Sequence, residues 1–134
     1  MSSPPEVIAF PDPEALSIRF LRSEFSARGQ AAGVGVKIPT SIPNGFVRVS
    51  LTGGGQRDMV TDSPRMLYEC YASSTVAASA LATFTRALML ASGRLSNEVT
   101  RAVDGSGVAF LPDPSTNNPR YQFVVQLDLR GSAI

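Results

Sequence analysis

The sequence of 134 residues contains no histidine and no tryptophan, and it has only one cysteine and one lysine. The absence of histidine excludes catalytic dyads, triads and metal sites that depend on an imidazole. Cys70 has no second thiol with which to form an intramolecular disulfide or a zinc-binding pair. No apolar run approaches the roughly 18 residues that a membrane-spanning helix needs, and the N-terminus lacks the basic start of a signal peptide. We therefore expect a soluble protein with no membrane association.

Charged residues are also scarce, at 17% of the chain, and 12 basic residues nearly balance 11 acidic ones. A net charge of +1 supplies no electrostatic case for general binding to nucleic acids or anionic membranes. Hydrophobic residues make up 43%, which is enough for one core in a chain of this length. We predict a single domain over residues 1–134, with an N-terminal arm at 1–9 and a C-terminal tail at 131–134.

Two segments have the spacing of amphipathic helices. The first is predicted over residues 13–28, with Asp12 as its N-cap and Gly29 after its end. The second is predicted over residues 75–92 and is ended by Gly93. Its buried face should contain Ala77, Leu81, Phe84, Leu88 and Ala91, with Phe84 at the centre.

Some apolar helix residues lie off these main stripes, and a monomer would leave them partly exposed. Leu16 and Phe20 are either covered by the N-terminal arm or used in a subunit contact. Met89 and Leu90 lie either at the edge of the core or at an interface.

Alternation of apolar and polar residues predicts the strands. Residues 46–52 should bury Val47, Val49 and Leu51. The strongest signal, over residues 120–130, should bury Tyr121, Phe123, Val125, Leu127 and Leu129. Shorter strands are expected near 35–38, 65–72, 99–103 and 108–111, with breaks at the glycines 53–55, at Pro64 and at residues 104–107. The order of elements predicts an α+β fold, in which two helices pack on one face of a mostly antiparallel sheet.

Residues that could perform catalysis do not form a recognisable constellation. Gly53, Gly54 and Gly55 are followed by Gln56, Arg57 and Asp58 rather than by the lysine and hydroxyl residue of a phosphate-binding loop. Asp58 with Asp62, and Asp104 with Asp113, fall in predicted turns or loops, where aspartate commonly bonds to the backbone. Cys70 has no histidine to activate it and is expected to be a buried thiol. We predict that the chain is not an enzyme and has no cofactor or metal site.

Four sequence segments occur in an order that carries further information. The first is Phe10-Pro11-Asp12-Pro13 with its helix, followed by the crossover at 37–43, and the second is residues 46–54 leading into 60–62. The third is Tyr68-Glu69-Cys70-Tyr71-Ala72, which enters an alanine-rich helix. The fourth contains Leu111-Pro112-Asp113-Pro114, then Pro119-Arg120-Tyr121-Gln122-Phe123, and ends with residues 129–131. This ordered set, covering about residues 10–131, resembles the small tail terminator proteins of long-tailed bacteriophages, particularly those that infect actinobacteria.

The resemblance implies an α+β domain that assembles as a homohexameric ring on the last ring of the tail tube. Such a ring stops polymerisation of the tail tube protein and joins the tube to the head–tail connector protein. Genome DNA passes through its lumen without specific binding, which suits a chain with little net charge. The expected location is the tail or neck of the virion, and the host cytoplasm during assembly. No catalytic residue is required.

Two extended segments are the predicted interfaces, because loops can reach across rings while a sheet holds them. The first lies within residues 52–62 and the second within residues 112–119. The residues assigned to these interfaces are Thr52, Gly53, Gly54, Gly55, Gln56, Arg57, Asp58, Pro112, Asp113 and Pro114. Both segments could equally be ordinary solvated loops. The alternative functions are another phage neck component, such as a head-closure or tail-completion protein, and a small ferredoxin-like module that binds a ligand or peptide.

Overall fold

The computed structural model describes residues 6–115 and 117–134. Within them the elements are β1 (Ile8–Ala9), α1 (Pro13–Ala27), β2 (Gly33–Gly35), β3 (Phe46–Gln56), β4 (Thr61–Tyr71), α2 (Thr75–Leu90), α3 (Ser92–Leu95), β5 (Val99–Phe110), β6 (Arg120–Arg130) and β7 (Ser132–Ala133). Residues 1–5 of the predicted arm and Thr116 of the second predicted interface lie outside the described residues. The α+β fold class is confirmed.

The main sheet has five strands in the order β2-β3-β4-β6-β5. Only the short β2 is parallel to its neighbour, whereas the other pairs are antiparallel as predicted. Helix α1 packs on β2 and β3, and α2 packs on β4, β6 and β5. Both helices contribute to one core with the same face of the sheet. Among the described residues, neither long helix lies over the opposite face, here called the outer face. The predicted arm and tail pair with each other as β1 and β7.

Helix α1 begins and ends where the sequence predicts. The Asp12 carboxylate accepts hydrogen bonds from the amides of Glu14, at 2.9 Å, and Ala15, at 3.3 Å. Gly29, two residues after the end, has a φ of +71° that favours glycine. Leu16 and Phe20 are buried within the single chain, so the prediction that a monomer leaves them partly exposed is wrong.

Helix α2 occupies the predicted place but presents a different face to the core. The buried residues are Ala78, Leu81, Ala82, Thr85, Leu88 and Met89. The buried Thr85 hydroxyl donates a 2.7 Å hydrogen bond to the Leu81 carbonyl, so this polar residue can face the core. Phe84, predicted to be central, is only partly buried and contacts Phe25 with ring centroids 5.7 Å apart. Gly93 does not end the helical region, because α3 continues through it to Leu95.

Strand β6 confirms the predicted register. Phe123, Val125, Leu127 and Leu129 are fully buried, and Tyr121 is half-buried against the same core. In β3, Val47 and Val49 are buried as expected, whereas Leu51 is 50% exposed. Leu51 lies beside the first turn of α1, since its amide donates a hydrogen bond to the Glu14 carboxylate. The helix therefore does not cover the Leu51 side chain.

Three predicted breaks lie inside strands. The pairing of β3 with β4 runs through all three glycines at 53–55 and through Pro64, with a bulge between Leu51 and Gly53. Residues 104–107, predicted as a turn, belong to β5, whose pairing with β6 shifts register at several positions. The Ser106 hydroxyl accepts a hydrogen bond from the Val124 amide and bridges one of these irregularities. Bulges thus accommodate residues that are typical of turns. The strand predicted near 35–38 lies instead at Gly33–Gly35.

Candidate interaction surfaces

The two predicted interface segments lie at opposite ends of the sheet. The connection between β3 and β4 precedes Thr61, which pairs with Arg130 at the end of β6. The connection between β5 and β6 precedes Arg120, which pairs with Tyr71 at the other end of β4. Strand β4 has 11 residues, so about 33 Å separates the two ends at the usual rise per residue. We call them the hairpin end and the loop end.

At the hairpin end, most of the predicted interface residues belong to a strand rather than to a loop. Gly53, Gly54, Gly55 and Gln56 pair with β4 in an antiparallel hairpin, so the predicted break at the three glycines lies within a paired strand. The connection itself spans residues 57–60 and is closed by a 2.8 Å hydrogen bond from the Arg57 amide to the Thr61 carbonyl.

Residues 58–60, here called the hairpin tip, have a defined conformation. The Asp58 carboxylate accepts a 2.9 Å hydrogen bond from the Val60 amide, and this bond holds the pKa of Asp58 below its ordinary value. The Val60 carbonyl accepts from the Gly131 amide at 3.2 Å, which ties the tip to the end of β6. Met59 is 76% exposed and Val60 58% exposed. The tip therefore presents two apolar side chains on a fixed backbone.

The side chain of Arg57 folds back from the hairpin onto the outer face of the sheet. Its Nη1 donates to Asp128 Oδ2 at 2.9 Å, and Ser63 Oγ donates to Asp128 Oδ1 at 2.7 Å. The Asp128 carboxylate is buried, but the Arg57 side chain is 53% exposed. We call these three residues the Asp128 cluster. It fixes the hairpin against β6, so Arg57 has an intramolecular role that the sequence did not indicate.

At the loop end, Asp113 organises the connection between β5 and β6. Its Oδ1 accepts hydrogen bonds from the Ser115 hydroxyl at 2.7 Å and from the Ser115 amide at 2.9 Å. These bonds hold the pKa of the Asp113 carboxyl below its ordinary value. Tyr71 Oη donates to Asp113 Oδ2 at 3.4 Å. The Asp113 side chain thus attaches the loop to the outer face, while Pro112 is exposed and Pro114 lies in an exposed turn.

A second buried carboxylate holds the base of this loop. Arg120 Nη1 lies 2.7 Å from Glu69 Oε2, and Arg48 Nη1 lies 3.7 Å from Glu69 Oε1. Tyr71 Oη also lies 3.3 Å from Glu69 Oε2, so its one proton is shared between this oxygen and Asp113 Oδ2, and burial raises the pKa of Tyr71. Arg120 also donates to the Leu111 carbonyl at 2.7 Å, before the loop begins. We call Glu69, Arg48, Tyr71 and Arg120 the Glu69 cluster.

Sequence reasoning missed both clusters, although alternation in β6 places Arg120 and Asp128 on the outer face. The missing information was the pairing of β4 between β3 and β6, which brings charges from distant parts of the chain together.

The groups singled out for possible chemistry are placed as follows. Cys70 is buried, and desolvation raises its pKa to about 12. Asp58 lies at the hairpin end and Asp113 at the loop end, while Asp104 forms a 3.0 Å ion pair with Arg86. Among the described residues, no group of three or more potential metal-binding side chains is found. No helix in the described ranges is long and apolar enough to cross a membrane.

No protein-family model matches the chain, and no curated protein matches it.

Proposed function

We propose that the chain is a structural subunit of a phage tail terminator, which forms a ring, caps the tail tube and joins it to the head–tail connector. The order of the sequence segments described above suggests this function. The α+β fold is compatible with it, and the role requires no active site.

The separation of the two ends carries the proposal. A subunit of a terminator ring must contact its neighbours and a second protein at the same time, which requires surfaces that do not compete. The hairpin end and the loop end are about 33 Å apart, and each holds its connection in a defined conformation with side chains left exposed. One chain can therefore engage two partners without rearranging the core.

Asymmetry between these ends is also what termination requires. A tube grows because each ring presents again the type of surface that it has just bound, which is a heterologous contact that does not close along the axis. The hairpin end presents Met59 and Val60, whereas the loop end presents a turn ordered by Asp113 and Ser115. Termination further requires that the end facing away from the tube does not match the tube ring, so that no further ring can be added.

The test is the polymerisation of tube protein from the same phage in the presence of the purified chain, followed by electron microscopy. We expect shorter tubes that carry a ring at one end. A variant in which residues 112–115 are replaced by Gly-Ser-Gly-Ser should still form rings but should cap fewer tubes. The matched control is Val76→Ser, which alters a side chain that is 81% exposed on α2 and belongs to neither predicted interface segment.

The outcomes separate the proposed function from its alternatives. Rings that bind the portal side of the neck but leave tube length unchanged would assign the chain to head closure or tail completion. A monomer at every concentration that also leaves tube growth unchanged would contradict the proposal and favour a free-standing binding module.

A further inference from the structure

Helix α2 has a second apolar face that the described residues leave largely exposed, although Phe84 on this face is partly buried against Phe25. Its core face is formed by Leu81, Leu88 and their neighbours, whereas Ala77, Ala80, Phe84, Ala87 and Ala91 follow one another at helical spacing on another side. Arg86 is the only ionisable residue in the 16 residues of α2. A helix that is apolar around most of its circumference is typical of a buried position. This property indicates that the second face has a partner.

A groove runs along the C-terminal half of this face. It encloses about 410 Å³ and is lined by Arg28, Phe84, Ala87, Ala91, Arg94 and Leu95, among others. Small side chains at 87 and 91 permit close approach of an incoming group, and Leu95 is 46% exposed at one end. Arg94 is exposed and forms no ion pair within the described residues. The groove thus combines an apolar floor with a cationic rim.

The hairpin tip has the complementary properties. Met59 projects into solvent with 76% of its surface exposed, and Val60 beside it is 58% exposed. Asp58 next to these apolar groups is an exposed carboxylate that shares the Arg57 guanidinium with Asp128, so the two carboxylates together keep a net negative charge. Methionine is well suited to fill an irregular apolar groove because its side chain is unbranched and adaptable. The negative charge of Asp58 matches the positive rim at Arg94.

The tip cannot enter the groove of its own chain. It is bonded to the end of β6 through the Val60 carbonyl, whereas the residues that line the groove belong to the helical layer and none of them to the sheet. A second copy of the chain has no such restriction. We infer that the hairpin tip of one copy inserts Met59 and Val60 into the α2 groove of the next copy, with Asp58 against Arg94.

The contact is heterologous, because it joins two different patches of the same molecule. After two copies bind, one of them still has a free groove and the other a free tip, so repetition produces a ring when the rotation closes. The inference rests on the ring in the proposed function and assigns the hairpin end to contact between subunits. The loop end then remains available for the tube or the connector.

Cross-linking of introduced cysteines tests the pairing directly, since Cys70 is buried and its own thiol is inaccessible. A mixture of the full-length Met59→Cys and Ala87→Cys variants, treated with a short bis-maleimide, should give cross-linked dimers. Neither variant alone should do so. A chain that carries both substitutions should give a ladder that stops at the size of the ring. Val76→Cys in place of Ala87→Cys is the control, because Val76 is exposed on the same helix outside the groove.

Charge reversal gives an independent reading by sedimentation. Arg94→Glu should weaken association by about tenfold, whereas Arg94→Lys, which keeps the positive charge, should leave it nearly unchanged. Circular dichroism of each variant verifies that the fold is retained.

Three results would overturn the inference, and they differ in what they imply for the proposed function. Cross-linking of Ala87→Cys with itself would show that α2 pairs with α2. Rings without any cross-link between positions 59 and 87 would reject this contact and leave the terminator proposal standing. A chain that stays monomeric at all concentrations, in the presence and in the absence of tubes, would contradict both this contact and the proposed function.

Discussion

The Asp128 cluster and the Glu69 cluster attach opposite ends of the molecule to the outer face of the sheet, but they do so differently. In each cluster, an oxygen of a buried carboxylate lies 2.9 Å or less from a guanidinium nitrogen and forms an ion pair with it. The Arg57 side chain is 53% exposed, whereas that of Arg120 is 20% exposed. Solvent screens the first pair far more than the second. The hairpin end should consequently depend more on backbone geometry, and the loop end more on side-chain charge.

Backbone geometry at the hairpin end gives the largest expected effect. Gly54 has a φ of +81°, and a Cβ there would lie 2.2 Å from the Ser63 carbonyl oxygen. Gly54→Ala should therefore destabilise the fold by about 3 kcal/mol or more in urea unfolding. Gly53→Ala is the matched control, because a Cβ at Gly53 meets nothing within 4 Å. It should change stability by less than about 0.5 kcal/mol. Equal effects at the two positions would show that strand geometry does not decide stability here.

The Glu69 cluster supplies the next largest effect. Glu69→Ala removes the carboxylate that pairs with Arg120 and leaves a partly buried guanidinium without it. We expect the free energy of unfolding to fall by about 2 kcal/mol. This is less than the usual cost of breaking a fully buried ion pair, because the Arg120 side chain is partly exposed to water.

The control is a double-mutant cycle. Glu69→Ala combined with Arg120→Ala should cost less than the sum of the two single substitutions. Additive losses in urea unfolding would contradict the assignment of Glu69 and Arg120 as an interacting pair.

The Asp128 cluster should be less sensitive to loss of charge. Asp128→Asn retains the shape and one acceptor for Ser63 but weakens the bond to the half-exposed Arg57. We expect the free energy of unfolding to fall by about 1 kcal/mol. The difference should be smaller in high salt, because salt screens the half-exposed ion pair. A loss larger than that of Glu69→Ala would reverse the comparison between the two ends.

Titration of Asp113 gives the smallest effect. Because the folded-state pKa of this carboxyl is below its ordinary value, its contribution to stability is present above that value and is lost as the pH falls through the folded-state pKa. Ser115→Ala removes the hydroxyl donor and should raise the pKa of Asp113 part of the way back. Carboxyl NMR shifts measure this change, with Asp58 as the internal reference. An unchanged Asp113 pKa would show that the Ser115 hydroxyl does not stabilise the carboxylate.

The core of the sheet was predictable because its signal is local. Alternation in β6 and the Asp12 cap of α1 each depend on a few neighbouring residues, and both were predicted correctly. The face of α2 was not, because both sides of that helix are apolar and only tertiary packing selects Met89 over Phe84. Turn-forming residues in β3 and β5 also misled the prediction, since bulges place glycine and proline within paired strands.

The candidate surfaces were predictable only in part, because some of their features depend on neighbouring residues and others on tertiary packing. The sequence located two segments with exposed turns, but it could not show that they lie at opposite ends or that Arg57 and Asp113 are held by intramolecular bonds. Those facts follow from strand pairing over long sequence separations, such as Ser63 with Asp128.

Electron microscopy of the purified full-length chain tests the central claim most directly, because closed rings are the form in which two separate ends would be used. Class averages should show a closed ring with six-fold symmetry and a central lumen. The same particles from Met59→Glu should be largely dissociated, while those from Val76→Ser should be intact. Preparations that contain only monomers, or open filaments with no closed ring, would contradict the account.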